Sequence, residues 1–155
     1  MHKALSRGKI ALIITLSLTL GFILVQSSFP PSVSGAQIDA VGNTVGGIFS
    51  SDGAFGAFLQ NNISNIAHFL EYGALGLQIS VAVFLWFDKK LKFSLLSIAS
   101  ALGIAFLDES VQILSGRHAS VADMWIDLLG FSVFYILTFS ILIVFNKRKR
   151  QSGRG

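Results

Sequence analysis

The chain has 155 residues, 52% of them hydrophobic and only 13% charged, with fifteen glycines and no cysteine. Apolar runs of the length found here exclude an ordinary soluble domain, and the missing thiols exclude disulfides, thiolate chemistry and Cys-ligated metals. The net charge of +4 is gathered in basic clusters beside apolar runs, which suits anionic lipid head groups and argues against nucleic acid as a partner.

Residues 1–9 are a basic N-terminus holding Lys3, Arg7 and Lys9. An uncharged run follows, and a span over 10–29 meets the requirement of about 20 mostly apolar residues. Pro30-Pro31 then ends it. The competing reading is a signal peptide cut near Ser34-Gly35-Ala36, but the apolar run is long for one, which favours a retained helix. Residues 30–62 form an outer segment, polar and Gly-rich, with Asp39 and Asp52 its only charges. Ile38, Val41, Val45, Ile48, Phe49, Phe55, Phe58 and Leu59 recur in it at near-helical spacing, whereas Gly42, Gly46, Gly53 and Gly56 oppose a robust free helix. An interfacial or re-entrant helix and a linker folded over the bundle both fit. The second span, 63–87, carries His68 and Glu71 before its long apolar stretch, and a basic turn closes it with Lys89, Lys90 and Lys92. The third, 93–114, begins uncharged and ends with Asp108, Glu109 and Gln112. A short loop with Gly116, Arg117 and His118 leads to the fourth, 122–145, which opens with Asp123 and Asp127. The membrane domain therefore covers 10–146, and 147–155 is a basic tail ending in a Ser-Gly-Arg-Gly stretch expected to be disordered.

The expected fold is an all-α integral membrane bundle of four transmembrane helices. Four spans place the three basic clusters on one side, and the positive-inside rule makes that side, with both the N- and C-termini, cytoplasmic. Short loops make the second, third and fourth spans antiparallel neighbours. Depth can then be counted at 1.5 Å per residue. His68 and Glu71 lie roughly 24–28 Å from residue 87, Asp108, Glu109 and Gln112 roughly 22–28 Å from residue 93, and Asp127 and Asp123 roughly 27–33 Å from residue 145. Three spans thus deliver their polar residues to one outer layer, and ionisable groups at that depth are a functional-site hypothesis.

Helical spacing sharpens the layer. His68/Glu71 are i,i+3 neighbours, while Asp108/Gln112 and Asp123/Asp127 are i,i+4 pairs. His68 with Glu71 reads either as a general acid–base pair or as interhelical glue; together with Asp108 or Glu109 it reads also as a set of divalent-metal ligands. Asp108 and Glu109 read as an acid and a base acting on a lipid head group, or as a charge network neutralised by Arg117, the expected counter-ion. The planar Arg117 fork suits a carboxylate or a phosphate. Asp123 fits a helix cap, and Asp127 lies a full turn deeper. No organic cofactor is expected.

These residues come in an ordered pattern: Ala67-His-Phe-Leu-Glu-Tyr-Gly-Ala-Leu-Gly76, then Asp108-Glu-Ser-Val-Gln112, then Gly116-Arg-His-Ala-Ser-Val-Ala-Asp123-Met-Trp-Ile-Asp127-Leu-Leu-Gly130. The pattern resembles the VanZ-like family of small multi-span bacterial membrane proteins, over roughly residues 10–145. The resemblance marks Tyr72 and Gly130 beside His68, Glu71, Asp108, Glu109, Gln112, Arg117, Asp123 and Asp127. Asn65 and Val111 depart from it, standing where many relatives carry a basic residue and a histidine. It implies a protein of the bacterial plasma membrane linked to susceptibility to the glycopeptide teicoplanin.

Three functional readings follow. The first is an outward-facing site that binds or alters a lipid-linked or glycopeptide-related cell-envelope molecule. The second is a membrane hydrolase or transferase with His68, Glu71, Asp108 and Glu109 catalytic and Tyr72, Gln112, Arg117, Asp123 and Asp127 binding substrate. The third is a structural or partner subunit whose polar layer only packs helices.

Overall fold

The structure, a computed structural model, describes residues 6–49, 54–118 and 120–152. Lys3, Asp52, Gly53 and the last three residues of the tail lie outside the described residues. Among those described, six helices follow in order: α1 (Arg7–Ser27), α2 (Pro31–Phe49), α3 (Ala54–Asn61), α4 (Ile63–Trp86), α5 (Lys90–Leu114) and α6 (Val121–Ser152). Four of them are long and apolar enough to cross a membrane: α1, α4, α5 and Val121–Lys149 of α6. Leu18, Leu91 and Leu114 stand 67%, 75% and 87% exposed, a surface that water would penalise and acyl chains would cover. The chain is an all-helical membrane protein.

Local chemistry sets the helix ends. α1 stops at Ser27, before the two prolines. Pro31, which has no N–H to lose, then opens α2 at its first position, and the Pro30 carbonyl accepts from Val33 and Ser34 at 3.0 and 3.1 Å. The outer segment is therefore mostly helix: α2 and α3 pack on each other and touch the start of α4. At the basic turn, Lys90 Nζ donates to the Phe84 carbonyl at 2.7 Å and sits over the Phe84 ring, so a cation closes the C-terminal end of α4. α6 carries its helix through Lys147–Arg150 as far as Ser152, so the expected basic tail begins as a helical continuation of the fourth span.

The expected neighbours α4–α5 and α5–α6 are in contact, but the main contact is a different one. α4 and α6 form by far the most extensive contact, whereas α4 and α5, joined by the short turn, touch lightly. Along the main seam His68 meets Asp127, Phe69 meets Phe134, and Phe84 meets Phe139. Partner numbers rise together, so α4 and α6 run parallel. The reason is backbone approach: a Cβ on Gly76 would strike the Phe131 carbonyl, one on Gly130 the Phe69 carbonyl, and one on Gly73 the Phe134 ring at 2.8 Å. Helices in lipid gain no hydrophobic drive from meeting, and small residues that admit close contact choose the partners. α5 packs antiparallel on α6, with the Tyr135 hydroxyl donating to Ser94 Oγ at 2.7 Å. α1 lies antiparallel to α4, tied by Gln78 Nε2 donating to Thr19 at 2.8 Å. Tyr72, Leu75, Ala105 and Phe131 fill the centre.

Candidate functional site

The polar residues gather at the end of the bundle remote from the basic turn. His68 stands on the second turn of α4 and Asp127 on the second turn of α6, and the glycine seam below brings them together: His68 Nδ1 lies 3.1 Å from Asp127 Oδ1. Asp108 reaches the same point from α5. Its carboxylate accepts from the Ser27 hydroxyl at the end of α1 and, at 3.1 Å, from Gln112 Nε2 one turn on. His68, Asp108 and Asp127 each offer a donor atom within 4.8 Å of the others. Both aspartates are buried, 1% and 0% exposed, while the His68 side chain keeps 12%. Tyr72, one turn below His68, is fully buried within electrostatic reach of both aspartates. Its hydroxyl and Asp127 Oδ2 have no hydrogen-bond partner among the described residues.

Two other residues expected in the layer make hydrogen bonds at the start of α6, and Glu109 Oε1 is buried without a partner among the described residues. Glu109 accepts the Ser120 backbone N–H at 2.7 Å, so it holds the start of α6 against α5. Asp123 sits in the first turn of α6, its own N–H directed at Ser120 Oγ at 3.4 Å; Ser120 is the cap and Asp123 the acidic residue three places on that suits a helix start.

Arg117 is placed by its backbone. α5 ends in a Schellman turn: Gly116, at φ +79°, donates to the Ile113 carbonyl at 3.0 Å, and Arg117 N–H donates to the Gln112 carbonyl at 2.9 Å. The left-handed turn, which glycine accepts without a Cβ penalty, folds Arg117 back over Gln112. Among the described residues Arg117 makes no ion pair with any carboxylate. Arg117 stands within longer-range electrostatic reach of Glu71, and the loop holds the guanidinium at the rim, where it lines a cavity.

That cavity has a volume of about 270 Å³. His68, Glu71, Gln112 and Arg117 form one wall, and Ser34, Gln37, Ile38 and Val41 of α2 form the other. Gln26 and Ser27 close its side. An apolar groove between α1 and α4, lined by Leu18, Phe22, Ile23 and Ala74, shares Leu70 and Glu71 with it. His118 is exposed and lines a second hollow beside Arg117.

Sequence reasoning missed Ser27 and the α2 wall. The polar triplet Gln26-Ser27-Ser28, at the same depth as the other groups, was the available signal for the first; the Ser34/Gln37/Ile38/Val41 spacing on one helical face was the signal for the second.

A family model described as VanZ/LLP1 matches residues 12–145. No curated protein and no solved structure matches the chain.

Proposed function

The chain belongs to the VanZ/LLP1 family, and from that premise we propose that it is a multi-pass protein of the bacterial plasma membrane whose outward-facing pocket binds a lipid-linked molecule of the cell envelope. The basic residues Lys89, Lys90, Lys92 and Lys147–Arg150 sit at the end opposite the pocket, which under the positive-inside rule supports cytoplasmic termini and an outer pocket. One observation carries the ligand class: a polar-rimmed cavity and an apolar groove meet at Leu70 and Glu71. A head group fits the first and an acyl or prenyl chain the second. Arg117, at the rim and without an ion pair among the described residues, is suited to a phosphate. Altered teicoplanin susceptibility is the phenotype this reading predicts.

A second reading, a hydrolase or transferase acting on that same molecule, is favoured by the His68–Asp127 contact. A carboxylate on Nδ1 orients the imidazole and leaves Nε2 for proton transfer.

The test is expression in a susceptible strain of the wild-type chain and of Asp108→Asn and Glu71→Gln, with membrane abundance and teicoplanin susceptibility measured separately. Lost phenotype at normal abundance supports a binding site. Lost abundance in both variants supports the third role, a polar layer that only packs helices. Turnover of a lipid-linked precursor by wild type, abolished in His68→Gln, selects the enzyme.

A further inference from the structure

We infer that His68, Asp108 and Asp127 form a site for one divalent transition-metal ion of the Zn2+ or Mn2+ class. The three donors come from three helices and lie within 4.8 Å of one another. An ion held at about 2.0–2.2 Å by nitrogen and oxygen spreads its ligands about 3.3–3.6 Å apart in a tetrahedron. The His68 Nδ1 to Asp127 Oδ1 separation of 3.1 Å is already close to such an edge. The Asp108 carboxylate, within 4.8 Å of both, supplies the third donor of the face.

Charge points the same way. Two buried carboxylates share this space, and Arg117 pairs with neither. One imidazolium would leave the cluster net negative, whereas a divalent ion balances both carboxylates with the imidazole neutral. Independent of the cluster's charge, Asp127 Oδ2 and the Tyr72 hydroxyl are buried without partners among the described residues. Gln78 Oε1, Trp86 Nε1 and Glu109 Oε1 are buried without partners among the described residues as well; what distinguishes Asp127 Oδ2 is that it belongs to the donor cluster, where a coordinated ion would take it. The outer shell is also built: Ser27 and Gln112 hold the Asp108 carboxylate, as partners of metal ligands do. Imidazole with carboxylates and no thiolate selects Zn2+ or Mn2+ over Cu(I). His68 lines the pocket, so the ion would face whatever the pocket holds, and the inference deepens the pocket reading by naming what meets the ligand there.

The experiment takes the full chain in detergent micelles, strips it with a chelator, and titrates it with Zn2+ or Mn2+, measuring retained metal by mass spectrometry. One equivalent per chain is expected. Asp127→Asn, Asp108→Asn and His68→Gln should each weaken binding at least about tenfold, since removing an outer-shell partner alone costs about 10–100-fold. Asp88→Asn, at the opposite end, should bind as wild type. Co2+ added to the stripped wild-type chain should give a visible ligand-field spectrum, a readout that needs no variant to fold. Metal retention at the level of a protein-free blank overturns the inference, as does wild-type affinity in all three cluster variants. Binding of a polyprenyl-phosphate lipid, measured on the same preparation, separates the two claims. Lipid bound without metal sinks the ion alone; metal bound without lipid supports the ion and sinks the lipid reading.

Discussion

Gly76→Ala tests the seam on which the site rests. The added Cβ would meet the Phe131 carbonyl, a backbone group that cannot rotate aside, well inside the ordinary C···O contact of about 3.3–3.6 Å. α4 and α6 must then part by on the order of 1 Å. Such overpacking costs about 1–3 kcal/mol. The same shift stretches the His68–Asp127 contact, 3.1 Å in the native packing, past hydrogen-bond range, for a further loss of about 1.5–3 kcal/mol. Alanine's better helix propensity returns about 1 kcal/mol. The net is a destabilisation of about 1.5–5 kcal/mol, with the lipid-binding or susceptibility phenotype lost beyond what reduced folding explains. Two glycines on the same protein calibrate the measurement. At Gly73 the obstacle is the Phe134 ring, a side chain that can move, so Gly73→Ala should cost less than Gly76→Ala. At Gly103 nothing lies within 4 Å, so Gly103→Ala should be neutral or stabilise by up to about 1 kcal/mol. SDS titration in mixed micelles, followed by circular dichroism, gives all three. If Gly76→Ala unfolds at the same SDS fraction as Gly103→Ala, the close α4–α6 crossing is wrong.

Ser27→Ala removes the hydroxyl that donates to Asp108 and leaves a buried carboxylate oxygen short of a partner; a loss of about 1–3 kcal/mol in the same titration is expected. Arg117→Gln should leave stability within about 0.5 kcal/mol, because Arg117 holds no ion pair among the described residues, yet weaken binding of a phosphate-bearing lipid measured in nanodiscs. Gly116→Ala strains the φ +79° turn; it should cost about 1 kcal/mol and, by displacing Arg117, reproduce the Arg117→Gln binding defect.

The spans were legible because an uncharged stretch of bilayer length finds a suitable solvent in little besides lipid. So was the meeting of His68, Asp108 and Asp127: each span carries an ordered depth scale, and polar residues at equal depth on packed helices have only a few ångströms of lateral freedom. Depth says nothing of lateral neighbours, however. The short turns suggested α4 against α5, while the contacts that chose α4 against α6 belong to Gly73, Gly76 and Gly130, whose significance lies in what faces them on another helix. Ser27 was hidden for a different reason. A serine within an uncharged run can satisfy its hydroxyl on its own helix, and for Ser27 the Ile23 carbonyl at 2.9 Å is an alternative acceptor of its one proton, so its presence carries no signal until Asp108 is seen beside it. Arg117 was placed at the right height, but its partners were not legible, since a loop's position does not fix where a long side chain points. The glycines of 30–62 argued against helix by propensity alone, but α2 and α3 pack on each other, and packing outweighs a fraction of a kcal/mol per residue.

The tie between Ser27 and Asp108 joins positions 81 residues apart, and Asp127 arrives later still. During synthesis the first three spans are complete before the last partner exists. The contact between His68 and Asp127 is consequently the last link of the cluster that synthesis makes possible. A nascent chain stalled after its third crossing would already carry Ser27, His68, Asp108 and Gln112 and would lack one member of the cluster, the carboxylate of Asp127.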